Sequence, residues 1–262
     1  MAKILVCDDD KDIVEAIDIY LTQEGYEVLK AYDGDEAIKV LKRNEVDLLI
    51  MDVMMPRLDG IRATLNIREN MSLPIIILSA KSEDADKILG LNIGADDYIT
   101  KPFNTNLLIS RCNNLVNSRI LLQEKFSKQP QTAAHMLATN PIDKDILDRA
   151  MSIIEQHLDD TEFNVNVFAR EMAMARTNLF TKLKAITGQT PNEFILTIRL
   201  KKGALMLRNN PELNITEISD KIGFSSSRYF SKCFKDIYHV SPLAYRKGEE
   251  ADKDEEEAVN EK

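Results

Sequence analysis

Cysteine and histidine are scarce in this chain, three of each in 262 residues. Cys7, Cys112 and Cys233 are odd in number and widely scattered, which speaks against a disulfide framework or a zinc site and leaves buried free thiols as the expectation. His135, His157 and His239 show no metal-ligand spacing. No apolar run approaches the ~18 residues of a membrane span, and the N-terminus lacks the basic-then-apolar order of a secretion signal. A cytoplasmic protein without a membrane partner is expected. Glycine-rich nucleotide loops are also missing, so ATP binding and kinase activity are not expected. Basic charge is in the minority, 34 Lys and Arg against 43 Asp and Glu, for a net charge of -9. The deficit is uneven: residues 1–128 hold 16 basic and 22 acidic groups, whereas 161–248 hold 14 and 7. One basic block inside an acidic chain is the footprint of a nucleic-acid-binding domain. The length implies about two domains at ~100 to 200 residues each.

What is present centres on Leu48-Leu49-Ile50-Met51-Asp52. Four apolar residues in a row, too few for a helix, predict a strand buried on both faces, and the aspartate ends it. Residues 3–7 form a first strand that runs into Asp8, Asp9 and Asp10. Helical spacing of Ile13, Val14, Ile17, Tyr20 and Leu21, stopped by Gly25, predicts a helix between them. Residues 26–31 read as the second strand, 35–43 as the second helix, 74–79 as the fourth strand and 98–100 as the fifth. Alternating strands and helices with short links imply a five-stranded parallel sheet, doubly wound and flavodoxin-like. In such sheets functional groups gather beyond the carboxyl ends of the strands, where the strand order reverses. Asp8, Asp9 and Asp52 meeting there would repel one another without a cation, and Mg²⁺ suits such a donor set. Asp52 is then a candidate nucleophile for a phosphoryl group, with Ser79 and Lys101 arriving at the same edge to hold its oxygens.

These residues resemble the receiver domain of bacterial response regulators, most closely the OmpR/PhoB group, over residues 1 to about 118. The resemblance implies Asp52 as phosphoacceptor and a Mg²⁺ site of Asp8, Asp9, Asp52 and the Met54 carbonyl. It implies Ser79 as switch hydroxyl, Lys101 as phosphate-binding lysine, Tyr98 as the aromatic that moves with Ser79, and a cis Lys101-Pro102 bond. Receivers of that group pair through the helix before the fifth strand, that strand and the helix after it. Lys87, Asp96, Asp97 and Arg111 match that pattern, whereas Leu107 and Ser118 depart from it. Leu108, Cys112, Leu115, Arg119, Leu122 and Phe126 follow a 4,3,4,3,4 spacing, a seam that fits either pairing of two copies or a helix packing back on its own domain, the latter accounting for the first three positions but not the last two.

Residues 119–142 are expected to be a helical extension and linker, with no period in 129–142. Beyond it lies a repeat offset by 51 residues: Leu183-Lys184-Ala185-Ile186, Thr190-Pro191 and Phe194 recur as Phe234-Lys235-Asp236-Ile237, Ser241-Pro242 and Tyr245. Each copy predicts two helices around a turn, 165–172 with 176–187 and 216–222 with 226–238, joined by a helix over 192–208 that is ~25 Å long. The arrangement resembles the AraC/XylS family over residues 145 to 247, in an all-α domain of two helix-turn-helix units spanning 143–248. Ala173 and His239 stand where that family has glycine. With Leu179, Leu183, Phe230 and Phe234 inward, the candidate surface for double-stranded DNA is Arg176, Thr177, Asn178, Thr181 and Lys182 in the first unit. In the second it is Ser226, Ser227, Arg228, Tyr229 and Lys232. Residues 249–262 are expected to be an acidic disordered tail.

The expected function is a transcriptional regulator phosphorylated on Asp52 by a partner sensor histidine kinase and dimerised by its receiver, with no enzyme activity beyond its own phosphorylation and dephosphorylation. Two alternatives are a phosphotransfer or phosphatase module, and a ligand-controlled AraC-type factor with an inert receiver. Residues from about 111 onward also resemble the end of hybrid two-component regulators, which carry sensor, kinase, receiver and AraC-type domain on one polypeptide.

Overall fold

A computed structural model describes residues 1–80 and 94–248. The helix expected between the fourth and fifth strands, Lys87 on it, and the acidic tail lie outside the described residues. The chain divides into two compact units: Met1–Leu122 with Leu137–Leu147 and Lys184–Gly188, and Gln123–Met136 with Asp148–Leu183 and the residues from Gln189 on. Among the described residues no helix is long and apolar enough to cross a membrane.

The first unit holds a parallel sheet in the order β2-β1-β3-β4-β5, with β1 Lys3–Cys7, β2 Glu27–Ala31, β3 Leu48–Asp52, β4 Ile75–Ser79 and β5 Asp97–Thr100. Its helices are α1 Lys11–Gln23, α2 Gly34–Leu41, α3 Gly60–Asn70 and, as far as Leu122, α4 Thr105–Lys128, whose last turns belong to the second unit. Alternation along β1, β3 and β4 sends Ile4, Val6, Leu48, Ile50, Ile76 and Leu78 to one core with Val14 and Ile17 of α1 and Leu108 and Cys112 of α4. Leu5, Cys7, Leu49, Met51, Ile75 and Ile77 go to the other, with Ala37 of α2 and Ala63 and Ile67 of α3. Both faces are covered, which is why these strands read as continuous apolar runs. Strand order reverses between β1 and β3, and the acids sit at that point.

The predicted seam on α4 is spent inside the chain. Leu108 and Cys112 are fully buried in the sheet core. In the second unit Phe126 is also fully buried, stacked on Phe194 with ring centroids 5.9 Å apart. Intrachain packing therefore takes up the two ends of this seam, while Leu115, Arg119 and Leu122 between them are half-buried.

The second unit carries α5 residues from Asp148 on (the helix spans Pro141–Gln156), α6 Val165–Glu171, most of α7 Arg176–Thr187, α8 Pro191–Asn209, α9 Ile215–Lys221, α10 Ser227–Tyr238 and α11 Pro242–Lys247. The repeated Thr190-Pro191 and Ser241-Pro242 pairs start helices: each hydroxyl caps an N-terminus and each proline stands in the first turn, where its missing N–H costs nothing. Leu200, Ala204 and Leu207 of α8 pack with Ile218, Ile222, Phe230, Phe234 and Tyr245. Gly203 permits this approach, since a Cβ there would stand 2.9 Å from the Ile222 side chain. Ala173 and His239 keep the left-handed backbone, at φ 51° and 61°, that glycine would adopt more cheaply. Arg199 of α8, largely buried, donates to the carbonyls of Gly223 at 2.9 Å and Asp160 at 2.5 Å and so ties the loops around the second turn to the central helix.

Lys201 of α8 is buried below the ring of Phe126, with Nζ 4.4 Å from the centroid, and donates to the Gln129 and Thr132 carbonyls. Burial brings its ammonium down to about 8 from a usual 10.5. A base that gives up its proton earlier in the fold than in the open chain leaves the open chain holding more protons across that window. Stability therefore rises with pH between about 8 and 10.5 through this group. Lys201→Met is expected to abolish that increment in a series of urea midpoints, and an unchanged rise would refute the assignment.

Candidate functional site

Strand register builds the acidic pocket. Cys7 pairs with Met51, so the residues that follow them, Asp8 and Asp52, emerge side by side from adjacent strands. Asp52 pairs with Leu78 and Ser79 with Thr100, which delivers Ser79 and then Lys101 to the same edge. Asp8, Asp9 and Asp52 each offer a carboxylate oxygen within 4.8 Å of one another. Asp8 and Asp52 are buried and Asp9 is exposed. Asp10, the third acid of the run, caps α1 instead, accepting from the amides of Asp12 at 2.9 Å and Ile13 at 3.4 Å.

Lys101 Nζ lies 2.6 Å from Asp8 Oδ2 and 2.6 Å from Asp52 Oδ1. The Asp52 carboxylate also accepts from the Met54 amide at 2.6 Å. Burial raises the Asp8 carboxyl above the usual range, and the bond from Lys101 opposes it. Burial pulls the Lys101 ammonium down, but the bonds to Asp52 and Asp8 leave it raised overall. A compact acidic group with a cation across it can exchange that cation's contacts for those of a divalent metal and an incoming anion. Ser79 is buried at this edge, Tyr98 is half-buried, and the Lys101-Pro102 bond is cis. The turn after Asp52 admits only glycine at 60, because a Cβ there would stand 2.0 Å from the Asp52 carbonyl oxygen.

On the face expected to pair two copies, Asp97 and Arg111 form a 3.3 Å ion pair within one chain. Asp96 must be withdrawn from that face: Arg68 of α3 holds its side chain at 2.7 Å, where it is 1% exposed, and it also accepts from the Ile75 amide at 2.7 Å. Both contacts fall on Oδ2, and the burial of the side chain keeps the carboxylate from the surface.

In the second unit Arg176, Thr177 and Thr181 of α7 face outward, as do Arg228, Tyr229 and Lys232 of α10. Lys182 does not: it is buried on the same face as Leu179, Leu183 and Ile186, one helical turn from two of them. Asn178 and Ser227 are half-buried, and Ser226 is exposed but spends its hydroxyl as the N-cap of α10. The outward residues that were missed include Phe180 and Lys235. Helical spacing from Arg176 and Thr177 to Phe180 and Thr181 is the signal that finds the first.

Comparison with known proteins matches residues 4–113 to the response regulator receiver domain and residues 168–248 to a helix-turn-helix domain. The chain is 34% identical over 181 residues to response regulator GtcR of Aneurinibacillus migulanus, covering 68% of this chain and 73% of that one. It is 37% identical over 246 residues to histidine kinase P4 of Formosa agariphila, covering 93% of this chain but only 18% of that protein. Among solved structures, the receiver domain of the Francisella response regulator 1452 is 42% identical with a TM-score of 0.44, covering 45% of this chain and 98% of that one.

Proposed function

We infer the function from one premise: this chain belongs to the response-regulator family, with a receiver domain followed by a helix-turn-helix DNA-binding domain of the AraC type. It acts as a transcriptional regulator controlled by phosphorylation. The observation that carries this reading is Lys101 bridging Asp8 and Asp52 with Asp9 beside them, a pocket prepared for an anion on an aspartate.

Asp52 is the phosphoacceptor. Its carboxylate oxygen forms the new P–O bond as the P–N bond to the histidine of a partner kinase breaks, and the histidine nitrogen recovers a proton from solvent. Asp8, Asp9 and Asp52, with the Met54 carbonyl, would hold Mg²⁺, since hard oxygen donors suit it. Bound there, the ion would screen charge between carboxylates and phosphoryl oxygens. Lys101 shifts its ammonium contact from the carboxylates to a phosphoryl oxygen and Ser79 donates its hydroxyl to another; Tyr98 moves with Ser79. These changes shift the population of two pre-existing states, and binding of the basic helices to DNA follows. Arg176, Thr177, Thr181, Arg228, Tyr229 and Lys232 form the DNA surface. Two copies pair when phosphorylated, with Asp97 and Arg111 on the pairing face. The receiver is of the OmpR/PhoB kind, and the C-terminal part follows the pattern of hybrid regulators, as the match across 93% of this chain to a protein named as a histidine kinase supports.

Incubation with a small acyl phosphate and Mg²⁺, followed by peptide mass spectrometry, is expected to place one phosphoryl group on Asp52 and none on the Asp52→Asn variant. Absence of label on the unaltered chain would sink the phosphorylation reading.

A further inference from the structure

We propose that Phe180 is a thymine-reading residue of the first helix-turn-helix unit, its ring packing against the C5-methyl group of a thymine in the major groove. The inference rests on the DNA-binding reading above and deepens it.

The observation is an inversion on α7. Phe180 is 43% exposed while Lys182, two residues on, is 5% exposed. The repeat gives a comparison inside the same molecule. At the offset of 51, Ser231 of α10 stands where Phe180 does, half-buried with its hydroxyl donating to the Ser227 carbonyl at 2.8 Å, and Cys233 stands buried where Lys182 does, so the second helix carries neither an exposed ring nor a buried charge at these places. Its own phenylalanines, Phe230 and Phe234, are fully buried. Hydrophobic burial alone would favour swapping the two α7 side chains, since the ring gains more from leaving water than a lysine stem does. A scattered exposed apolar residue is ordinary on a protein surface. This one is placed differently, because Arg176, Thr177 and Thr181, its neighbours on the exposed face, form the polar set expected to meet DNA. Places where local patterning is violated tend to be functional.

Position and chemistry then narrow the target. The N-terminal half of the second helix of such a unit meets base edges in the major groove, and Phe180 is the fifth residue of α7. Major-groove edges present hydrogen-bond donors and acceptors, except for the methyl group of thymine. A phenyl ring can recognise that group, whereas Arg176 and the threonines can hold phosphates or polar edges around it. The second unit has Ser231 at the matching place, so the methyl contact made there by Phe180 has no counterpart at that position of the other helix.

The test uses the full chain, treated with a small acyl phosphate and Mg²⁺, and a sequence obtained by selection from random duplexes. Each thymine of that sequence is replaced in turn by deoxyuridine, which removes the methyl group and nothing else. At one or two positions the change is expected to weaken binding by about three- to ten-fold. Phe180→Ala should weaken binding to the unmodified duplex by a similar factor and be indifferent to deoxyuridine at those positions. Phe180→Leu should recover part of the sensitivity. Methyl removal without effect at every thymine overturns the proposal, as does a Phe180→Ala protein that still distinguishes the two duplexes. If the unaltered chain selects no sequence at all, the DNA-binding reading falls and this inference with it, an outcome distinct from selection without methyl dependence.

Discussion

Lys101→Ala is expected to slow phosphoryl uptake by Asp52 by about 10²- to 10³-fold, the range for loss of one preorganised charge-stabilising donor. The ammonium spans Asp8 and Asp52 at 2.6 Å each, so it neutralises the resting pocket and stands where phosphoryl oxygens would arrive. Removing it has a second effect on the resting protein. Burial already raises the Asp8 carboxyl, and loss of the Lys101 bond raises it further. An acid that ionises later in the fold than in the open chain is bound to more protons in the fold. In metal-free buffer the variant should therefore lose stability as pH rises from about 4. Uptake is read with a radiolabelled acyl phosphate and stability by urea midpoints across that range. A rate within a few-fold of the parent would show that Lys101 is a structural tie only.

Arg68→Ala should be the most damaging change in the sheet unit, at about 3–5 kcal/mol, because removing one member of a buried ion pair strands the other. The Arg68 guanidinium and Asp96 carboxylate are 2% and 1% exposed. Arg68 also donates to the Gly94 carbonyl at 2.7 Å and the Leu73 carbonyl at 2.5 Å, fastening α3 to the turns before β4 and β5. Asp96→Asn keeps the volume and an acceptor for the Ile75 amide, so it should cost less than Arg68→Ala. Urea unfolding with an unchanged slope measures both. A loss below about 1 kcal/mol for Arg68→Ala would mean that water replaces the guanidinium, contrary to its burial. Pairing of two copies that drew on Asp96 would have to break this arrangement first, so Asp97 and Arg111 are the residues of that face to test in a dimer.

The sheet was legible because its strands are buried on both faces. A run such as Leu48 to Met51 has few other homes, and its terminal aspartate stands out against it. The two helix-turn-helix units were legible because the chain repeats itself, and the Thr190-Pro191 and Ser241-Pro242 pairs mark helix starts in both copies. Periodicity failed where it states that a face is buried without saying by what. The α4 seam has the spacing of an interface, but Cys112 packs on the sheet and Phe126 on Phe194. The fate of Asp96 depends on Arg68, 28 residues earlier, and no local pattern announces that pair. Lys182 departs from expectation for a different reason: it lies beside buried leucines in sequence, and its angle on the helix puts it among them. Asp10 could have been recognised as a cap, standing directly before the apolar period of α1.

The repeat also has a consequence for how this chain meets its operator. Its two helix-turn-helix units share a scaffold but differ in the side chains they expose: Arg176, Thr177 and Phe180 on one, Arg228, Tyr229, Lys232 and Lys235 on the other. With those side chains on DNA as proposed, one copy would read left and right differently, and its binding site would be an arrow rather than a mirror image. Promoter orientation, not merely promoter sequence, is then information this protein can use.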